Sequence, residues 1–451
     1  MYDLIVIGAG PGGYEAAAHA GRKGKKVALI ERAALGGTCL NAGCIPTKTL
    51  LRSAQVLTEC RGAAAFGVRI PGQAQLDLAA VVARKNRIVG MLTKGVEGLL
   101  KRARVERIQG HAELVSADTV RAGESIYKAR NILLATGSRP AVPPIPGIDS
   151  PVVLDSTAIL DRTEIPASLA IVGGGYIGLE FASFFAAIGA KVTVLEMLPR
   201  IAAGLDEDIA ARLRQSLAKA GIDIRTSSKV AAIDGQTVQY EDPGGWRTTL
   251  RADCILNAAG RVPVVDGLGL GRVGVDFDRQ GIRTSDRGRT SVPGIWACGD
   301  VTGRRLLAHA ATREGIVAVE NMFGGDQRVR YEAIPSVIYT HPEVASAGRT
   351  EEELRAQGIE YRKATVPMAV AGRFLVEHDG AHGVVKVLTG AKYGEILGVH
   401  ALGTPASEFI VLAAAMIEME MRAADAAELV FPHPTVSEAL KSAILETIGQ
   451  E

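Results

Sequence analysis

Two cysteines, Cys39 and Cys44, lie five residues apart in Gly36-Gly37-Thr38-Cys39-Leu40-Asn41-Ala42-Gly43-Cys44-Ile45-Pro46-Thr47-Lys48. A regular helix would hold their Cα atoms too far apart for a relaxed disulfide. Bridging them demands a distorted turn, which Gly43 and a helix start at Pro46 can provide. A bridge closing so small a loop would be open to thiol exchange, unlike one that closes a long loop. Cys44 at a helix start has its thiolate favoured by the dipole, and Lys48 lies one turn further in. The same spacing also fits two unrelated buried thiols or half of a metal site. Zinc would want a second close Cys or His pair, which the chain lacks, so no metal is expected. Cys60, Cys254 and Cys298 read as core residues.

The elements around this segment come from an internal repeat at a spacing of 165 residues. Gly8, Gly10, Gly13 and Glu31 recur as Gly173, Gly175, Gly178 and Glu196. Each copy reads apolar strand, glycine turn, helix and second strand, and each second strand ends on the acid. In such a unit one glycine makes the tight turn, one lets the backbone approach a pyrophosphate, and one lets helix and strand pack closely. The helix N-terminus offers free N–H groups to phosphate, and the terminal carboxylate can accept ribose hydroxyls. One such fingerprint is weak, because glycine turns are common; two matching copies point to two dinucleotide-binding units.

The 451 residues suggest about three structural units, and 47% apolar residues suffice for several cores. Lys and Arg number 51 against 49 Asp and Glu, so no positive field favours nucleic acid or anionic lipid. Five cysteines are too few for a secreted disulfide framework. The opening Met1-Tyr2-Asp3 leads straight into a strand, from which we expect no targeting segment and a cytoplasmic location. The apolar stretch 167–190 carries glycines and Glu180, and reads as strand, turn and helix rather than a membrane span. The expected fold class is α/β, with two Rossmann-like domains and a C-terminal α+β domain. The expected boundaries are 1–147 and 271–333 for a discontinuous first domain, 148–270 for the second, and 334–451 for the third, which includes a helix around Phe409 to Met421.

Residues 36–48 resemble the redox-active disulfide motif of the flavin-dependent pyridine nucleotide-disulfide oxidoreductases, in the form closest to the dihydrolipoyl dehydrogenase group. The resemblance covers nearly the whole chain. It takes in both fingerprints, Ala135-Thr136-Gly137, Gly299-Asp300, Leu307-Ala308-His309, the run from Ile334 to Ala345, and His433-Pro434-Thr435-Val436-Ser437-Glu438. It implies FAD in the first unit, NAD in the second, and a flavin between nicotinamide and a Cys39–Cys44 disulfide. By position it implies FAD contacts from Gly8, Gly10, Gly13, Glu31, Lys48, Ala112, Thr136, Gly137, Ser138, Asp300 and Ala308. The NAD site would use Gly173, Gly175, Tyr176, Gly178, Glu196, Val230 and Gly260. His433 would be the general base, with Glu438 fixing its tautomer, and the pair would reach the disulfide of the other subunit of a homodimer. Glu180 would pair with Lys48 near the flavin, although the repeat also matches it to Glu15 as a mere helix-start acid. The implied partners are the lipoyl domains of a 2-oxo-acid dehydrogenase or glycine-cleavage complex.

A carboxylate such as Glu196 accepts ribose hydroxyls and repels a 2′-phosphate, which favours NAD over NADP. A solitary Arg200 reads as surface charge. Ala42, Thr47, Val264-Val265 and Phe431 depart from the common family residues without touching the implied electron path. Two rival readings stay open: a glutathione-reductase-like reductase of another small disulfide, and a diaphorase in which the cysteines are incidental.

Overall fold

Leu4, Ile5, Val6 and Ile7 are at most 4% exposed, as a parallel strand covered by helices on both faces requires. In the computed structural model, which describes residues 1–380 and 382–449, they form the strand Tyr2–Ile7. Parallel neighbours are Val27–Glu31 and Ser125–Leu134, flanked by Glu106–Gln109 and by Ile295–Ala297, which arrives from far along the chain. Antiparallel Thr119–Ala122 and Ala112–Ser116 extend the sheet. Helix Pro11–Arg22, with its proline in the first turn, packs along helix Ala308–Met322. Gly315 lets the two backbones approach, since a Cβ there would sit 2.6 Å from Gly12 O.

The second unit repeats the plan. Parallel strands Asp223–Arg225, Lys191–Leu195, Ser168–Val172, Cys254–Asn257 and Val153–Asp155 carry helix Tyr176–Ala187. Stretch 167–190 is therefore strand, turn and helix, and no helix among the described residues is long and apolar enough to cross a membrane. The chain leaves this unit through Arg261–Pro263, which pairs with Ser138–Pro140. Leu268 and Leu270 already pack in the first unit's core, and Leu114 N–H donates to Leu268 O. The crossing therefore comes before residue 270, because the apolar side chains after Pro263 find their cover on the first sheet.

The C-terminal region is a five-stranded antiparallel sheet in the order Ser336–Ile338, Val344–Gly348, Ile396–Leu402, Val384–Gly390, Tyr361–Pro367. Helices Ala406–Glu418 and Glu438–Ile448 cover one face and join one apolar core with Val385, Val387 and Val399. Helix Glu207–Lys219 of the second unit lies against the other face. The helix expected around Phe409 to Met421 starts directly after Pro405 and ends at Glu418, with Glu420 in the left-handed region at φ 52°.

The third glycine of the first turn should decide stability and the second should not. A Cβ on Gly13 would meet Gly8 O at 1.9 Å, so Gly13→Ala should cost about 3 kcal/mol or more in denaturant unfolding. Gly10 has nothing within 4 Å and an ordinary φ of −70°, so Gly10→Ala should unfold like the parent protein.

Candidate functional site

The two glycine turns superimpose in their mechanics. Gly8 and Gly173 sit at φ 101° and 110°, and a Cβ on either would strike a carbonyl oxygen, Ala135 O at 2.4 Å or Ala258 O at 2.5 Å. A Cβ on Gly178 would lie 2.1 Å from Gly173 O, as Gly13 does to Gly8. Of the six fingerprint glycines, Gly10 and Gly175 face open space, which is where a pyrophosphate must come close. Neither helix that follows has a side-chain cap, so its first N–H groups are free for an anion. Glu31 accepts from Ala9 N (2.7 Å) and Ala33 N (2.8 Å); Glu196 accepts from Gly174 N (2.6 Å) and Leu198 N (2.7 Å). Each carboxylate is thereby aimed at its turn with lone pairs to spare for ribose hydroxyls.

A pocket opens beside Glu31, lined by Ile7, Gly8, Ala112, Thr136 and Val264. Val264, marked in the sequence only as a departure from the common family residues, is one of its walls; Thr136 donates to its carbonyl at 2.8 Å. These open, uncapped and carboxylate-flanked surfaces fit FAD in the first unit and NAD in the second. Val230 is buried in strand Lys229–Asp234, just past Ser228, whose N–H bonds to Glu196 O at 2.8 Å. Gly260 stands at φ 120° with open space where a side chain would be. The Arg200 guanidinium is turned back onto Ala203 O at 3.0 Å rather than toward Glu196.

Asp300 lies in the turn Gly299–Thr302, just after strand Ile295–Ala297. Burial pushes its carboxyl up, opposed by the Ser138 hydroxyl, which donates to it, and by the Arg261 charge. Arg261 in turn donates to Ser138 Oγ and Ser138 O, both at 2.7 Å. Beneath this turn is Glu314, 3% exposed, accepting from Gly299 N (2.6 Å) and from the Tyr331 hydroxyl (3.0 Å). Burial pushes Glu314 up to about 7 despite those two donors. The sequence reading missed Glu314 and Arg261. The signal for Glu314 was present: it continues the Ala310, Ala311 stripe at helical spacing, where an acid has no reason to be unless something holds it. Gly137, at φ 71°, faces open space, and Ala308 opens a helix without a side-chain cap.

Cys39 and Cys44 are free, half-buried thiols on two successive helices, Gly37–Ala42 and Cys44–Gly62. Gly43 separates the helices with φ −145° and ψ −110°, the distorted turn the spacing requires. The second helix starts at Cys44 itself, two residues before Pro46. A hydrogen bond from the Cys39 thiol brings Cys44 down to about 7 against its burial, helped by Lys48. The same bond and burial push Cys39 up. Cys254 and Cys298 are buried, whereas Cys60 is half-exposed on a surface cleft, so the core reading fits only two of the three.

Lys48 donates to both oxygens of Glu180, at 2.9 and 2.7 Å, and lies over the Tyr339 ring at 4.6 Å. Glu180 also accepts from Tyr339 N at 3.0 Å, so it is more than a helix-start acid. Tyr176 hydrogen-bonds to Ser336. His433 Nδ1 and Glu438 Oε1 are 2.9 Å apart, and Glu438 also accepts from Thr435 N at 2.9 Å. The His433 side chain is 79% exposed and has no polar contact with Cys39 or Cys44 of its own chain. Among the described residues no group of three or more His, Cys, Asp or Glu is arranged to hold a metal ion.

Two outcomes follow from this geometry. Raising the pH of the reduced protein through about 7 should ionise Cys44, seen as one equivalent of thiolate ultraviolet absorbance. That signal should vanish in Cys44→Ser and move to higher pH in Cys39→Ala, where the donor is lost; an unmoved titration in Cys39→Ala would leave Lys48 and the dipole as its whole cause. Glu314→Ala removes two acceptors and should cost about 1–3 kcal/mol, with lower flavin retention on gel filtration.

Residues 2–315 match the pyridine nucleotide-disulphide oxidoreductase family, and residues 334–444 match its dimerisation domain. The chain is 42% identical over 464 residues to dihydrolipoyl dehydrogenase 3 of Pseudomonas aeruginosa, spanning 100% of this chain and 98% of that one. It is 39% identical over 456 residues to dihydrolipoyl dehydrogenase of Bacillus subtilis, spanning 99% and 98%. Among solved structures, the HOCl-induced flavoprotein disulfide reductase RclA of Escherichia coli is similar, with a TM-score of 0.86 at 31% identity over 98% of this chain and 99% of that one. Paired glycine turns, a dithiol at a helix start and a C-terminal dimerisation domain thus carry one assignment: the chain belongs to the pyridine nucleotide-disulphide oxidoreductases, homodimeric enzymes that use FAD and NAD(H).

Proposed function

We propose that the protein is a dihydrolipoyl dehydrogenase that oxidises protein-bound dihydrolipoamide with NAD. The observation that carries this reading is the Cys39–Cys44 dithiol, with Cys44 brought down to about 7, lying beside the Lys48–Glu180 pair. One sulfur is prepared to leave as thiolate and the other to be attacked.

In the proposed cycle the two cysteines start as a disulfide. A substrate thiol gives its proton to His433 Nε2, while Glu438 holds Nδ1. The thiolate attacks Cys39 Sγ, the Cys39–Cys44 bond breaks, and Cys44 leaves as thiolate. The second substrate thiol then attacks the substrate sulfur of the mixed disulfide and frees Cys39, which takes up the proton that this thiol loses, while His433 keeps the first proton beside the Cys44 thiolate. The substrate is oxidised to a cyclic disulfide and the protein is left as the dithiol. Gly8, Gly10, Gly13, Glu31 and Asp300 would hold FAD, and Gly173, Gly175, Gly178 and Glu196 would hold NAD; bound there, the flavin would supply a two-electron relay between dithiol and nicotinamide. The exposure of His433, within the dimerisation domain, supports its serving the cysteines of a second copy of the chain. The Glu196 carboxylate, with Arg200 turned away, supports NAD over NADP. The partners are lipoyl domains of a 2-oxo-acid dehydrogenase or glycine-cleavage complex, and the location is cytoplasmic, in keeping with thiols that need a reducing compartment.

The likeness to a flavoprotein disulfide reductase supports a second reading, reduction of another small disulfide. Parallel assays of lipoamide and glutathione disulfide turnover, each with NAD(H) and NADP(H), decide between them. Lipoamide turnover confined to NAD(H) is the expected result; flavin reduction by NADH without lipoamide turnover would remove the substrate assignment. Cys44→Ser should lose physiological turnover while NADH-driven quinone reduction survives, and His433→Gln should lower kcat/KM for dihydrolipoamide by about 10²–10⁴.

A further inference from the structure

Outside the redox centre, the most heavily buried cationic side chain among the described lysines and arginines is Lys386, 1% exposed, on strand Val384–Gly390 of the C-terminal sheet. Its ammonium reaches across to the second unit and contacts both oxygens of Asp206 (2.8 and 3.0 Å) and Asp208 (2.9 Å). On its own side it contacts Glu351 at 2.6 Å. Glu351 N–H donates to Asp206 as well (3.1 Å), and Glu207 N–H to Glu352 (3.2 Å). Asp206 is itself 0% exposed, so without Lys386 its carboxylate would be buried with a second carboxylate beside it.

Asp206 ends a segment that matters to the second glycine turn. From Glu196 the chain runs over residues 197–206, and Ala202 N–H docks on Gly174 O at 2.9 Å. The Ile201 side chain comes within 3.1 Å of where a Cβ on Gly174 would stand, and Gly204 lies under the Tyr176 hydroxyl. Ala202 is held at φ 45°, a conformation an alanine keeps only where its surroundings enforce it. The first unit docks its loop on the equivalent carbonyl, Gly36 N–H to Ala9 O at 2.8 Å. There the chain continues at once into helix Gly37–Ala42, and Asn41 ties Leu35 O and Gly37 O together. The second loop is tied locally by Arg200 to Ala203 O (3.0 Å) and by Leu205 N–H to Ala202 O (2.8 Å), and runs on to Asp206, where the C-terminal domain fixes its far end.

We propose that Lys386 is a positioning residue for the nicotinamide dinucleotide: by pinning Asp206 it holds segment 197–206 against the second glycine turn and so sets the affinity for NAD. The inference rests on the reading of that turn as the NAD site. Both oxygens of Asp206 are occupied by Lys386 and Glu351 N–H, so the segment is clamped at Glu196, at Ala202 and at Asp206. Releasing the last clamp lets Ala202 leave its strained conformation and the turn lose its flank.

The test uses the FAD-loaded enzyme, with NAD as the probe in calorimetric titration and in steady-state assays with dihydrolipoamide. Lys386→Met should raise the NAD Kd and KM by about tenfold, with kcat, dihydrolipoamide KM and FAD content changed by no more than about twofold. Lys386→Arg should recover most of the affinity. Asp206→Asn, which keeps the shape and removes one charge, carries the same measurement if Lys386→Met does not fold. Folded variants that bind NAD as tightly as the parent overturn the positioning role alone. A parent enzyme that takes up no NAD overturns the nucleotide assignment and the positioning role together.

Discussion

Burying a carboxylate is unfavourable unless its oxygens find donors, and Glu180, 5% exposed, finds them in two other parts of the chain. Lys48 comes from the cysteine helix and Tyr339 N–H from the C-terminal sheet, while Glu180 itself belongs to the helix that begins at the second glycine turn. One side chain therefore registers the dithiol, the second glycine turn and the dimerisation domain against each other. Ser183, almost one turn on, repeats the tie by accepting from His341 N at 3.2 Å. Without these partners the charge on Glu180 would be isolated in an apolar core that includes Phe181, Phe184 and Leu50.

The redox chemistry depends on a break in regular structure. A continuous helix over residues 37–62 would separate the two sulfurs; Gly43 interrupts it and starts a new helix with Cys44 in its first turn. Helix dipole, Lys48 and the Cys39 thiol then act on one sulfur in the same direction, against the cost of burial. The asymmetry between the two cysteines is positional, since both are the same residue type within six residues of chain.

The C-terminal domain does more than pair two chains. One face of its sheet carries its own helices, and the domain grips the second dinucleotide unit through Ser336 and Lys386 on strands, Tyr339 just past a strand and Glu351 at a helix start. His433 and Glu438 project from this domain into solvent. The same domain thus braces the second dinucleotide unit of its own chain and presents the His433–Glu438 pair outward.

Much of this was legible in residue order. Glycines at fixed spacing, a strand-terminal acid in each copy, and cysteines flanking Gly43 are local patterns whose mechanical meaning does not depend on the rest of the fold. The doubled fingerprint gave the two units, and motif positions pointed to Asp300, His433 and Glu180. The tertiary structure alone decided which distant groups share a cavity. Glu314 under the Gly299 turn, Arg261 on Ser138, Val264 in the pocket beside Glu31 and Lys386 on Asp206 join residues separated by 15 to 180 positions. It also placed the chain's return to the first sheet near Pro263, where the cover for Leu268 and Leu270 lies. The physical reason is that periodicity and turn chemistry act over a few residues, whereas a buried charge is satisfied by whatever partner folding brings within hydrogen-bond reach.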